Sequence, residues 1–445
     1  VPETVVRGGT LVRPGGRARA DVRIADGRIV EIAPDLPESA DEIDARGLHI
    51  LPGVIDVHLH FNEPGRTGWE GAETGSRALA AGGGTLYFDM PLNSTPCTVN
   101  ANEVDRKRAA LEAVSITDFG LWGGLVPGSV EQMEAMGERG VVGFKAFMCD
   151  SGLPEFPRVD NETMRDGMRE AARLGLPVAV HAESHEVTER LSASMTGSTA
   201  RDFLASRPVA AELEAIERVL GIAGEAGASL HLVHVSSGTG VAAAAEAKSR
   251  GVDVSIETCP HYLFFTEDDL ERIGVAAKCA PPLRDRNEQG KLWRELFDRR
   301  IDIVASDHSP SDPSLKQDGD FRTSWGGIAG VQSTLAVLMQ RGFEGRRLRF
   351  EEIASLLAAN PARRFRIPAK GQLEVGYDAD LVLVDMSRSY TLGSKQLLQR
   401  HKMSPYVRYS FTGVVVRTIR RGETIVEGGR IVTRTRGRFV RPVDS

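Results

Sequence analysis

The middle of the chain alternates two patterns. Short, almost unbroken apolar runs give way to longer stretches in which apolar residues recur every three or four positions. The runs are "GVIDVHLHF", "GTLYFDM", "DFGLWGGLV", "VVGFKAFM", "LPVAVHAE", "SLHLVHVS", "VDVSIETCP" and "IDIVASDHS". Their length and their β-branched and aromatic content predict buried strands. Helical patterns such as "GWEGAETGSRALAAGG" and "GTGVAAAAEAKSRG" lie between most of them. Strands alternating with helices predict parallel βα units, and eight such units fit a closed (β/α)8 TIM barrel. The two ends read differently. "TVVRGGTLV" and "ADVRIADGRIVEI" near the start, and "GQLEVGYDADLVLVD" and "GVVVRTIRRGETIVEGGRIV" near the end, are short alternating runs broken by glycine. "ADGR" predicts a tight hairpin. The two ends share a texture that the middle lacks. The expected architecture is therefore α/β, with a barrel over residues 51–368 and a small β-sandwich-like domain assembled from residues 1–50 and 369–445.

The 445 residues exceed one ordinary core and leave room for a barrel plus a small domain. An apolar content of 41% and a charged content of 26% are those of a soluble globular protein. A net charge of −6 gives no electrostatic footprint for nucleic acid. The basic residues of "RTIRRGETIVEGGRIVTRTRGRFVRP" alternate with Val and Ile, which reads as a solvated strand face. Cys97, Cys149, Cys259 and Cys279 form no C-x-x-C pair, and a chain of this length needs no staples, so reduced thiols in a cytoplasmic protein are expected. No apolar run reaches membrane-spanning length. The first residues lack the apolar core of a signal peptide, and the absence of an initiator Met points to a trimmed terminus.

In such a barrel the chemistry stands where the strands end. The polar residues late in each predicted strand are His58 and His60 in the first, Lys145 in the fourth, His181 in the fifth, His234 in the sixth and Asp307 in the eighth. A single strand histidine is more often a satisfied core residue than a ligand. His58 and His60 differ from that case, because residues i and i+2 of a strand face the same way and can reach one ion. His231 lies at the opposite end of its strand and reads as structural. His185, His261, His308 and His401 fall outside the pattern, although His308 flanks Asp307. Lys145 is the anomaly, a lone lysine in an apolar run. A buried ammonium is costly, so it must be paired, neutral or chemically changed. Imidazole and carboxylate suit Zn2+, with Mn2+ or Co2+ as alternatives. His58, His60 and Asp307 would hold one ion, and His181 and His234 a second. Two adjacent cations need a bridging anion, and this set has no acid to spare. A lysine amine neutralised by burial and nearby cations can take up CO2 and become an anionic carbamate with two oxygens. The alternative is a lysine that snorkels to solvent.

The order HxH, Lys, His, His, Asp, framed by a split β domain and opened by "PGVIDVHLH", resembles the amidohydrolase superfamily and its cyclic amidases in particular. The resemblance implies a binuclear metal centre with Lys145 carboxylated. Within the superfamily, "HLHFNEPGRTGWEGAETGSRALAAGGGTLYFDMPLNSTP", "SRPVAAELEAI" and "WGGIAGVQ" resemble the allantoinase group. "EPG", "KCAPPLRD" and "ASDH" are similar to dihydroorotases, which carry Arg where this chain has Asn62. A carboxylate substrate would lose a bidentate contact there, whereas Asn pairs with ureido and ring amides. Hydantoinases carry a Tyr soon after the lysine, and "AFMCDSGLPEFP" has none. The resemblance thus implies hydrolysis of allantoin to allantoate by a homodimer or homotetramer, with dihydroorotase or hydantoinase action as alternatives. A non-catalytic scaffold relative would lack metal ligands, and all six are here. Asp307 is expected to carry the proton. Asn62, Asn93 and Ser309 are expected to contact the substrate, with backbone groups of Cys279, Ala280, Gly326 and Gly327. Arg66 either contacts substrate or pins its loop. Gly82, Gly83 and Gly84 read as tight helix-to-strand packing and match no phosphate-binding loop.

Overall fold

The alternating runs at the start of the chain form β1 (Thr4–Arg13), β2 (Gly16–Ala25), β3 (Arg28–Ala33), β4 (Asp41–Asp44) and β5 (His49–Pro52). The protein is described by a computed structural model over residues 3–316, 319–345 and 348–443. β2 and β3 are antiparallel, and Asp26 and Gly27 join them at φ 51° and 79°. A type I′ two-residue hairpin turn needs both angles left-handed, and Asp and Gly tolerate that conformation.

The apolar runs of the middle form β6 (Val54–Leu59), β7 (Gly84–Asp89), β8 (Asp118–Leu121), β9 (Gly123–Gly124), β10 (Phe144–Phe147), β11 (Val178–His181), β12 (Leu230–Leu232), β13 (Val254–Thr258) and β14 (Ile303–Val304). Every neighbouring pair is parallel. β8 and β9 are one predicted strand interrupted at Trp122, whose buried indole N–H donates to the Val57 carbonyl at 2.9 Å. The last strand returns to the first through the His60 N–H and the His308 carbonyl, 2.8 Å apart, and through a parallel bridge between Leu59 and His308. That closes the (β/α)8 barrel. Helices alternate with these strands, and their ends are chemically marked. Asn100, Asp160 and Ser237 cap Ala101–Val114, Asn161–Leu174 and Gly238–Ser249, and Gly175 at φ 64° ends the second of these. The pattern over 68–83 condenses to the helix Ala72–Ala81. Gly83 then turns at φ 93°, and a Cβ on Gly84 would lie 2.3 Å from Leu79 Cδ1, so the helix can return to β7 only through glycine.

The C-terminal runs form β15 (Leu381–Thr391), β16 (Ser410–Arg420), β17 (Glu423–Glu427) and β18 (Arg430–Ile431). β15 pairs antiparallel with β5, which unites both ends of the chain in one nine-stranded sheet. Val6, Leu11, Val22 and Ile50 share one buried cluster with Leu381, Leu383 and Ile419. At the seam with the barrel, Lys370 Nζ lies 2.7 Å from Asp118 Oδ2 and from Asp380 Oδ2. The basic C-terminal run is exposed at Arg430, Arg434, Arg436 and Arg438 and departs from the expected solvated face at Arg420 and Arg421. Arg420 is 1% exposed and donates to Ile116 O, Glu423 and Thr435, and Arg421 pairs with Asp118. β16 carries these guanidinium groups into the seam, where carbonyls and carboxylates satisfy them.

Candidate metal centre

The six late-strand residues meet. His58, His60, Lys145, His181, His234 and Asp307 all line one cavity of about 390 Å3. Strand ends put them there. His58 is in β6 with His60 just past it, Lys145 lies in β10, His181 ends β11, and His234 and Asp307 follow β12 and β14. Asp307 Oδ1 is 3.4 Å from His58 Nε2 and 3.5 Å from His60 Nε2. The His58 ring lies 5.3 Å from that of His234, which lies 4.5 Å from that of His181. Lys145 Nζ stands 4.8 Å from the Phe147 ring centre, and Phe147 stacks on His181. His234 and Asp307 are held at φ 41° and 42°. Such left-handed angles are uncommon outside glycine and gather at functional sites.

Burial sets the charge states. It pulls the imidazoles of His60 and His181 below their ordinary value, and that of His234 well below it. It also lowers the Lys145 amine to about 8. Burial opposes ionisation of Asp307, but His58 and His60 outweigh it and hold the carboxyl below its usual range. Among the described residues, Lys145 Nζ, His60 Nδ1 and His234 Nδ1 have no hydrogen-bond partner. A cavity lined by imidazoles, a carboxylate and an amine without a partner fits divalent cations. Ligand atoms of His58, His60 and Asp307 lie within 4.8 Å of one another, and so do those of Cys149, His181 and Glu183. The second group brings in a cysteine that the sequence pattern did not single out.

Several site residues were missed from sequence. Glu183 accepts from His181 Nε2 at 2.7 Å and from Arg207 at 2.5 Å. Burial opposes its charge, but Arg207 and His181 hold its carboxyl at about 2. Glu257 accepts from His58 Nδ1 at 2.8 Å. Asp56 accepts the backbone N–H of His58 and of Ser306, both at 3.2 Å, and burial raises its carboxyl to about 6. Asp56 sits inside an apolar run, as Lys145 does, and "SIETCP" around Glu257 carries the same anomaly as "VVGFKAFM". His231, expected to be structural, is buried against Ser255 and Glu257.

Asn93, Ser309, Cys279, Ala280, Gly326 and Gly327 line the cavity together with Phe203, Lys278 and Trp325. Asn93 Nδ2 lies 3.5 Å from Ser309 Oγ. Asn62 is placed differently. It is buried at φ 62°, its amide donates to Pro310 O at 3.3 Å, and it is not among the lining residues. Arg66 pins the loop, donating to Asn93 O at 3.3 Å and pairing with Glu155. His308 Nδ1 accepts the N–H groups of Gly330 and Val331, and its Nε2 lies 3.6 Å from Glu70 Oε2.

The sequence profile described as the Amidohydrolase family matches residues 49–425. The chain is 60% identical to an allantoinase from Solibacter usitatus over 99% of its own length and 97% of that protein's. It is 55% identical to an allantoinase from Rubrobacter xylanophilus, over 99% of this chain and 98% of the relative. Among solved structures, the L-hydantoinase (dihydropyrimidinase) of Arthrobacter aurescens superposes with a TM-score of 0.96 at 33% identity, covering 99% of this chain and all of that one. The dihydropyrimidinase of Brevibacillus agri gives 0.90 at 28% identity, over 99% of this chain and 100% of the other.

Proposed function

Since the chain belongs to the amidohydrolase family, we infer that it is a cyclic amidohydrolase that opens the hydantoin ring of allantoin to give allantoate. One observation carries the chemistry. A buried lysine without a hydrogen-bond partner stands among four imidazoles and a carboxylate, in a chain alike over its whole length to proteins named allantoinase. His58, His60 and Asp307 would hold one divalent cation, and His181 and His234 a second. Lys145, carboxylated by CO2, would complete both sites. Zn2+ suits these ligands best, with Mn2+ or Co2+ as alternatives. When bound, the ions supply Lewis-acid charge and an acidified water.

The chain's own groups do the rest. Asp307 takes a proton from the attacking water and passes it to the ring nitrogen as the C–N bond breaks. The water oxygen stays on the former carbonyl carbon, and the new carboxyl group gives its remaining proton to solvent, so the opened chain carries a carboxylate and an N–H. Asn93 and Ser309, with backbone groups of Cys279, Ala280 and Gly326, meet the amide edges of the substrate. Phe147, Phe203 and Trp325 wall the cavity and limit water. Asn62 acts by fixing the 309–310 segment beside them. The working assembly is a cytoplasmic homodimer or homotetramer, with the barrel over 51–368 as its catalytic domain.

A side-by-side turnover assay tests this reading. Zn2+-supplemented protein is given allantoin, dihydroorotate and a 5-substituted hydantoin at equal concentration. Allantoin strongly preferred is expected. Preference for either other ring would keep the chemistry and overturn the substrate.

A further inference from the structure

Glu257 lies in β13, near the middle of the barrel, and is fully buried. It is not among the residues that line the cavity, yet it touches both halves of the proposed ligand set. Its Oε1 accepts the ring N–H of His58 at 2.8 Å and the backbone N–H of His234 at 3.0 Å. Its Oε2 faces His231 Nε2 at 3.0 Å, whose other nitrogen meets Ser255 Oγ at 2.8 Å. Both carboxylate oxygens of Glu257 are thus directed at β6 or at β12 and the residues just after it. We propose that Glu257 is the common positioning residue of the metal centre, fixing the ligand atom of His58 and the backbone of His234 at once. The proposal rests on the metal-centre reading above.

Two independent features support it. The first is tautomeric. A carboxylate accepts and does not donate, so His58 must carry its proton on Nδ1. In the neutral ring that a cation requires, Nε2 then keeps its lone pair, and this is the nitrogen that faces Asp307 in the cavity. A carboxylate behind a ligating imidazole fixes ring orientation and raises its basicity. The second is conformational. His234 sits at φ 41°, which a side chain with a Cβ adopts at a cost. Its N–H is buried and needs an acceptor, and Glu257 Oε1 is that acceptor in this conformation. His58 and His234 belong to different proposed ions, so one carboxylate oxygen supports both.

The test is metal affinity, read by chelator competition on purified protein, with the thermal unfolding of the metal-free forms measured alongside. Glu257→Ala is expected to weaken both ions together, on the order of 10–100-fold. Glu257→Gln keeps one acceptor for His58, while His231 can exchange tautomers and donate to Ser255. It should fold like the parent and lose less affinity than the Ala variant, but for both ions. If the Ala variant does not fold, the Gln variant decides. Parent-like affinity for both ions in Glu257→Ala, or weakening of one ion alone in either variant, overturns the proposal. A parent protein that binds no divalent ion would instead overturn the metal-centre reading itself, so the two failures are distinguishable.

Discussion

Lys145 sits between Phe144 and Ala146 in a strand buried along its whole length. Its amine has no acceptor among the described residues, and burial lowers it to about 8. Snorkelling is therefore not its solution, and the carbamate reading accounts for a lysine at that position. Asn62 shows the opposite outcome. Sequence comparison weighed it as a substrate contact, while its φ of 62° and its bond to Pro310 O give it a backbone task. Asn adopts the left-handed region more readily than Arg, which pays about 1–2 kcal/mol there. Asn62→Arg should consequently lower stability slightly and confer no efficient dihydroorotate turnover. Efficient turnover by that single variant, in a steady-state assay, would place specificity at residue 62 after all. The six late-strand residues were legible because strand ends and i, i+2 spacing are properties of sequence. The left-handed angles of His234 and Asp307, and the acids behind the histidines, were not, because both depend on which strands become neighbours.

Elements position the site through buried pairs at their ends. Lys107, on the helix Ala101–Val114, lies 3.0 Å from Asp89 Oδ2 at the end of β7 and donates to Met90 O at 2.6 Å. Asp89 Oδ1 in turn accepts the N–H of Phe61 at 2.9 Å. One pair thereby links the strand end after His60 to the loop that carries Asn93. Lys107→Met leaves Asp89 buried and uncompensated, and removing one partner of a buried pair costs about 3–5 kcal/mol. Chemical denaturation should report a loss of that size. A loss below about 1 kcal/mol, the range of a surface pair, would refute this anchoring role. Periodicity located the strands but not Trp122's break in the third, since the bond from its indole to Val57 O spans the barrel and leaves no local trace. The hairpin at Asp26–Gly27 was readable because its chemistry is local.

At the scale of the molecule, the termini meet in one sheet and the barrel closes between them. Similar texture at the two ends made that arrangement legible. The depth of the seam was not, because Arg420 and Arg421 look like surface residues until β16 is placed against the barrel. Beside the cavity, Lys316 Nζ donates to Gly327 O at 2.6 Å and to Val275 O at 3.2 Å, and burial lowers its amine to about 8. The unfolded chain holds that proton up to about pH 10.4. Between these values the unfolded state binds more protons, so stability rises with pH, on the order of 3 kcal/mol in all. The contribution is present at the top of that range and is lost as pH falls through 8. Unfolding curves of the parent and of Lys316→Met should diverge over this window, the parent gaining with pH relative to the variant. Parallel curves would mean that Lys316 keeps an ordinary amine in the fold.

We propose that Lys145, as a carbamate, joins two metal ions. Elemental analysis of the parent and of Lys145→Ala, each prepared with Zn2+ and bicarbonate and freed of loose metal by gel filtration, tests it most directly. Two tightly held ions per chain are expected in the parent, with loss of the pair in the variant, partly restored by a short-chain carboxylate. Two tightly held ions per chain in Lys145→Ala without that addition would contradict it.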